Sequence, residues 1–274
     1  MSKAKTQNVT ANRYVQIIEQ LFEKHYRAGL REIHFEREEI EHLARKLNIE
    51  LPKNLGDLVY TFRYRVELPA SIKSRAPEGE HWVIKGVGRS RYCFALTKQS
   101  VILPNKMLAE TKVPEATPGI IEKYALSDEQ ALLAKVRYNR LIDIFTGITC
   151  YSLQSHLRTS VTDVGQVETD EVYVGVDRQG VHYVIPVQAK GGKDRLSTVQ
   201  IEQDFAMCMK KFANLVCRPI ATQFMNDELI AMFLFELNDG VVAISSEKHY
   251  RLVAPDEIDV KDLKVYQSRS NASE

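Results

Sequence analysis

Apolar positions recur at helical spacing in the first third of the chain. Tyr14, Ile17, Ile18, Leu21 and Phe22 make one stripe, and Ile40, Leu43, Ala44 and Leu47 make a second. Gly29 closes the first helix, and Glu32 to Phe35 between the two stripes reads as a short strand. Leu51-Pro52 stops the second helix, because the residue before a proline disfavours the α region. Asn54 then caps a third helix, with Asp57 in its first turn and Leu58, Val59 and Phe62 on its buried side. The run HWVIKGVGRSRYCFAL at 81–96 alternates on both sides of a Gly-rich turn and predicts a hairpin.

The pattern then changes. Residues 101–126 carry three prolines and little periodicity, which predicts a linker at 111–126 between domains at 1–110 and 127–274. Ser127 with Gln130 makes a capping box for a helix that runs to about Phe145, and Gly147 ends it. Three strands are expected next, at 150–161, 166–176 and 182–190, with Asp177 to Gly180 as the turn between the last two. Ser197 and Gln200 form a second capping box. They open a helix whose stripe is Ile201, Phe205, Cys208 and Phe212. A strand from Leu215 to Phe224 follows. The segments 229–237 and 240–253 are further β candidates, the first of them ambiguous. The fold class is therefore mixed α and β: helices with a hairpin first, then an α, three-strand, α, strand core with a mixed sheet.

Composition narrows the class. Of the 274 residues, 44% are hydrophobic and 27% charged, enough apolar surface for a packed core and too much for a mainly disordered chain. The longest apolar run, Leu229 to Phe235, is far short of the roughly 20 residues that a bilayer-spanning helix needs. The opening MSKAKTQNVT is polar and no apolar stretch follows it, so no signal peptide is expected. Four cysteines without a CxxC spacing argue against a disulfide framework or a zinc ribbon and suit a reducing cytoplasm.

The net charge of +1 conceals an asymmetry. Residues 53–112 hold 11 Lys/Arg against 5 Asp/Glu, whereas residues 226–274 hold 5 against 10. A basic segment in a near-neutral chain is the footprint of a polyanion partner. It coincides with the helix, strand, helix, helix, hairpin order, which resembles a winged helix-turn-helix DNA-binding domain. The resemblance implies contacts to double-stranded DNA from Lys53, Arg63 and Arg65 near the third helix and from Lys85, Arg89 and Arg91 on the hairpin.

Candidate chemistry sits in the second half. A strand alternates faces, so Glu168 and Asp170 share one face and Glu171 takes the other; Gln188 and Lys190 likewise share a face. A lysine ending an apolar strand needs a partner or water, and an acid on the neighbouring strand would supply one. Asp170 followed by Gln188-Ala189-Lys190 resembles the P-D…(D/E)-x-K nuclease signature, in the glutamine variant of Mrr-like restriction endonucleases. Glu168 to Val172 is similar to the acid-bearing strand of archaeal Holliday junction resolvases, and the element order over 127–225 resembles that superfamily's αβββαβ core.

The resemblance implies a Mg²⁺-dependent endodeoxyribonuclease, with Mn²⁺ able to substitute. Asp170, Gln188 and the backbone carbonyl of Ala189 would hold the metal, with Glu168 or Glu171 adding charge, and Lys190 would act on the attacking water or the phosphate oxyanion. Lys193 and Arg195, after two glycines, would touch phosphate. It further implies a homodimer, a cognate DNA methyltransferase and a bacterial or archaeal cytoplasm. The alternative is a winged-helix regulator whose nuclease-like domain is inactive; Gln188 and the mid-strand Pro186 favour it, the proline because it removes a ladder hydrogen bond. No HExxH, P-loop, dinucleotide fingerprint or nucleophile elbow is present.

Overall fold

The computed structural model describes residues 2–52, 55–98, 100–125, 128–191, 196–226, 228–238 and 240–270, with side chains from residue 14 onward except Asp128 and Ser270. In chain order the elements begin with α1 (Ser2–His25), β1 (Glu32–Glu36), α2 (Arg37–Lys46), α3 (Gly56–Tyr60), α4 (Ala70–Lys73), β2 (His81–Gly86) and β3 (Arg91–Thr97). Next come β4 (Val101–Ile102), β5 (Glu110–Pro114), α5 (Gly119–Tyr124), α6 (Asp128–Tyr138), α7 (Leu141–Thr146), β6 (Thr149–Val161), β7 (Gly165–Val176) and β8 (His182–Lys190). The chain ends with β9 (Leu196–Ser197), α8 (Thr198–Lys211), β10 (Val216–Cys217), β11 (Ile220–Phe224), β12 (Leu229–Asn238), β13 (Val241–Val253) and α9 (Val260–Ser270). The fold is mixed α and β with a large mixed sheet. No helix among the described residues is long and apolar enough to cross a membrane.

The chain divides into two compact units. Unit 1 takes Met1–Ile102, Arg158–Glu168 and Asp194–Met207, and unit 2 takes Leu103–Leu157, Thr169–Lys193 and Cys208–Glu274.

In unit 1 a three-stranded antiparallel sheet has the order β1-β3-β2. Alternation in β1 turns Ile33 and Phe35 inward and Glu32, His34 and Glu36 outward. The inner face meets Ile17, Ile18, Leu21 and Phe22 of α1, Ile40 and Leu43 of α2, and Leu58 and Val59 of α3 in one core. The Phe22 ring stands edge-on to Trp82 and Phe94, each at 5.2 Å, a favoured aromatic geometry. The expected third helix is shorter than its apolar stripe suggests. After Tyr60 the chain takes a wide π-type turn, Thr61–Arg65, closed by the Val66 N–H donating to the Thr61 carbonyl. The Thr61 hydroxyl donates to the Asp57 carbonyl, a local bond that competes with regular α geometry. The Asn54 cap lies outside the described residues.

The large sheet has the order β5-β13-β12-β11-β8-β7-β6, with β10 also on β8. β8 pairs antiparallel with β7 and parallel with β11, so the helix-separated strand returns beside the third strand of the meander. Pro186 lies inside the β7 ladder, opposite Val172. The other side of β8 is where the ladder breaks. β10 pairs with Tyr183 and Val184, β11 resumes at Val187, and the gap sets Pro219 beside Pro186. The expected strand 215–224 is therefore two pieces, because neither proline can donate across the gap. In unit 2 the buried side chains of α6 and α7, Leu132, Val136, Leu141 and Ile142 among them, pack with Tyr173, Ile185, Val187, Ala189 and Ile220.

Three further segments differ from their expected form. The helix expected to run unbroken to about Phe145 is two helices, α6 and α7, because Arg140 between them takes a left-handed backbone at φ +50°. Residues 110–114, expected at the start of a linker, form β5 at the sheet edge, parallel to β13, with the Arg251 guanidinium on the Glu110 carboxylate at 2.6 Å. Helix α9, which no apolar stripe announces, is tied to β5 instead: the Tyr266 hydroxyl accepts the Lys112 N–H at 2.8 Å, and Lys112 pairs with Asp262 at 2.9 Å. The ambiguous 229–237 segment is a strand, buried from Leu229 to Phe233.

Candidate functional site

The β7–β8 ladder runs from Val176↔His182 to Glu171↔Val187 and stops there. One residue further, the Ala189 N–H donates to the Asp170 carboxylate at 2.8 Å. An acidic side chain has taken the place of a main-chain acceptor, and the pairing opens where the chemistry was expected. In an extended strand the N–H and C=O of one residue point the same way, so the Ala189 carbonyl also turns toward β7. Alternation past the last pair, Glu171↔Val187, turns Asp170, Gln188 and Lys190 to the face opposite Glu171 and Val187.

Gln188 is 1% exposed and Asp170 is half-buried. Lys190 is half-buried too, and among the described residues its ammonium has neither a hydrogen-bond nor an ion-pair partner. No salt bridge joins it to Asp170. On the parallel strand β11, Gln223 stands beside Lys190, and its Oε1 is buried without a partner. The arrangement is a carboxylate, an amide and an ammonium at the end of the ladder, the ammonium without a partner among the described residues, beside the unpartnered acceptor of Gln223. The oxygen donors suit a hard cation in octahedral geometry.

The two other acids are already engaged. Glu168 accepts Nε and Nη2 of Arg158 at 3.0 and 2.8 Å within unit 1. Glu171 is fully buried on the helix-covered face of β7, where it accepts two hydrogen bonds from Arg137, at 3.0 and 2.6 Å, and one from the Ser152 hydroxyl at 2.6 Å. Its neighbour Tyr173 has a phenol held far above the usual range by burial and by that carboxylate. Gln203 accepts the hydroxyl of Tyr64 at 3.1 Å in unit 1, and burial pushes the Tyr64 phenol up to about 12. Lys53, Lys193 and Arg195 lie outside the described residues.

Unit 1 sorts the expected DNA contacts by exposure. Arg89 and Arg91 are exposed on the β2–β3 hairpin and have no ion pair among the described residues. The turn is held by Gly88 at φ +126°, where a Cβ would strike the Arg91 guanidinium at 2.7 Å. Arg65 is exposed and lies 5.1 Å from the centre of the Tyr60 ring. Lys85 is engaged by Glu202 at 2.6 Å, and Lys73 by Glu67 at 2.8 Å. Arg63 lies over the Tyr64 ring at 4.9 Å, in the wall of a cavity of about 350 Å³ shared with Lys73, His81 and Trp82. Its Nε and Nη2, and the indole Nε1 of Trp82, are buried without a partner. No pattern in the sequence marks that cavity, because it forms between the π-type turn and the edge strand β2.

No protein-family model matches the chain, and no curated protein matches it in sequence.

Proposed function

We propose that this chain is a Mg²⁺-dependent DNA endonuclease, with a restriction-endonuclease-like core in unit 2 and a winged-helix-like DNA-binding domain in unit 1. One observation carries the reading. At the point where the β7–β8 ladder ends, Asp170 takes the Ala189 N–H, and the half-buried Lys190, two residues beyond Gln188, has no counter-ion among the described residues. A half-buried ammonium with no anion is costly, and a phosphate oxygen would compensate it.

Asp170, the Gln188 amide oxygen and the Ala189 carbonyl would hold the Mg²⁺, which when bound acidifies a coordinated water and neutralises charge on the phosphate. Lys190 stabilises the oxyanion that builds up as the phosphodiester is attacked. The Ala189 N–H fixes the Asp170 carboxylate, so one of its oxygens is oriented before any ligand arrives. Glu171 serves the fold through Arg137 and takes no part in the site. Arg65, Arg89 and Arg91 hold the DNA through its phosphates. A homodimer, a cognate methyltransferase and a bacterial or archaeal cytoplasm belong to the same proposal.

A second reading, a DNA-binding regulator with an inactive nuclease-like unit, is favoured by Gln188, which is neutral and almost wholly buried. One experiment separates the two. Unmodified plasmid and bacterial genomic DNA are incubated with the protein in Mg²⁺ or EDTA, beside Asp170→Ala and Lys190→Ala. The nuclease gives Mg²⁺-dependent fragments that both variants lose, while DNA affinity stays within a few-fold. Intact DNA in every lane with an unchanged gel shift, on methylated and structured substrates as well, supports the regulator. Cleavage by Lys190→Ala at the wild-type rate would remove the site assignment.

A further inference from the structure

The outer face of the unit 1 sheet carries a second group of ligating side chains. His34 on β1 lies directly opposite Cys93 on β3. Glu32 precedes His34 by two residues and so projects from the same face. Their carboxylate oxygen, ring nitrogen and sulfur all lie within 4.8 Å of one another, and the carboxylate and imidazole already approach to 3.5 Å. Glu32 and His34 are exposed, whereas Cys93 is buried. Lys85 stands opposite Cys93 on β2 and would repel a cation, but its ammonium is held 2.6 Å from Glu202.

We propose that Glu32, His34 and Cys93 form a site for a borderline-soft divalent metal, Zn²⁺ foremost. One thiolate, one imidazole and one carboxylate make a Zn²⁺ donor set, unlike the all-oxygen group at Asp170. Metal–ligand bonds of about 2.0–2.3 Å in a tetrahedron bring the donor atoms to about 3.5 Å apart. Rotation of the two exposed side chains supplies the remaining closure. The three protein ligands leave a fourth position for water. On binding, the S–H bond of Cys93 breaks, an S–Zn bond forms and the proton passes to solvent. The weak thiol contact to the Phe94 carbonyl, at 3.1 Å, is given up. The metal would tie β1, an edge strand, to the central β3. This site is independent of the nuclease reading and stands or falls apart from it.

The test titrates metal-free full-length protein with Co²⁺ as a Zn²⁺ stand-in. One equivalent per chain should bind with a thiolate-to-cobalt charge-transfer band, which Zn²⁺ then displaces, and Zn²⁺ should raise the Tm. Cys93→Ser should abolish the band and Cys217→Ser should keep it. His34→Ala alters only an exposed side chain. It should leave the circular dichroism unchanged and weaken Zn²⁺ affinity at least tenfold, so the site remains testable even if Cys93→Ser folds poorly. Wild-type protein without the band at saturating Co²⁺, a band that survives Cys93→Ser, or wild-type affinity in His34→Ala would each overturn the proposal.

Discussion

Glu171 is fully buried, and the charge that compensates it comes from Arg137, which is itself 43% exposed at the side chain. The pair is therefore asymmetric. Removing Arg137 leaves a carboxylate that cannot reach water, with the Ser152 hydroxyl still donating to it. Arg137→Ala should lower unfolding stability by about 3 kcal/mol, near the low end for breaking a buried pair. Adding Glu171→Gln to it should restore a good part of that loss, because the stranded charge is gone. Urea unfolding of the two variants checks this, and equal losses in both would mean that burial of the charge is not what matters. The contrast with Asp170 is instructive. Period-two alternation placed Glu168 and Asp170 on one face of their strand and Glu171 on the other, with Gln188 and Lys190 together on theirs; the ladder's last pair puts Glu171 with Val187 on the other face. Alternation has no way to say that the Asp170 carboxylate would take a main-chain N–H, or that an arginine 34 residues earlier would claim Glu171. Those choices depend on where the ladder opens and where α6 lands.

At the scale of elements, α2 shows how local charge and tertiary contact meet. The Glu36 N–H donates to Glu39 at 3.1 Å in a capping box, and Glu39 also takes the Lys24 ammonium and lies 2.6 Å from His25 Nε2, both at the end of α1. Partial burial alone would raise the Glu39 carboxyl, but the hydrogen bonds from Lys24, His25 and the Glu36 amide outweigh it and hold the group at about 2. A carboxyl whose folded pKa is depressed binds fewer protons than the unfolded chain does. Its contribution is thus complete above about pH 4.5 and is lost as pH falls toward about 2. Glu39→Gln should cost about 1–2 kcal/mol at neutral pH and flatten the stability profile across that acid window. Urea midpoints measured at steps down the window check it; parallel profiles for the two proteins would assign the acid sensitivity elsewhere. Most elements were legible because each has its own period and its own stop signal. Three of the exceptions share a cause. β5 and α9 are fixed by partners far along the chain, Arg251 for one and Lys112 for the other, and the π-type turn after α3 by a side-chain hydroxyl inside an otherwise helical pattern.

At the scale of the whole chain, the basic segment 53–112 loses much of its excess inside the fold. Lys73, Arg75, Lys85 and Lys112 are all in ion pairs, and two of the guanidinium nitrogens of Arg63 are buried. Sequence charge counts every cation equally, whereas a phosphate meets only those that remain exposed and uncompensated; among the described residues of the segment these are Lys98, Lys106 and three arginines, Arg65, Arg89 and Arg91. The affinity for DNA in the proposed function should rest on these three arginines. Neutralising one phosphate contact lowers the slope of log K against log salt by about 0.9 on duplex DNA, so changing all three to Gln should flatten it by up to about 2.7. The same change at Lys73 and Lys85 should barely move the slope, since those cations already have carboxylate partners. Cleavage at saturating DNA should survive the triple substitution, because the residues proposed for the cut lie in unit 2. Binding isotherms over a salt series, with single-turnover cleavage beside them, read both effects at once. A slope that the exposed arginines leave unchanged, or that Lys73 and Lys85 alter as much, would move the DNA contacts away from these arginines while leaving the Asp170 site to be judged on cleavage alone.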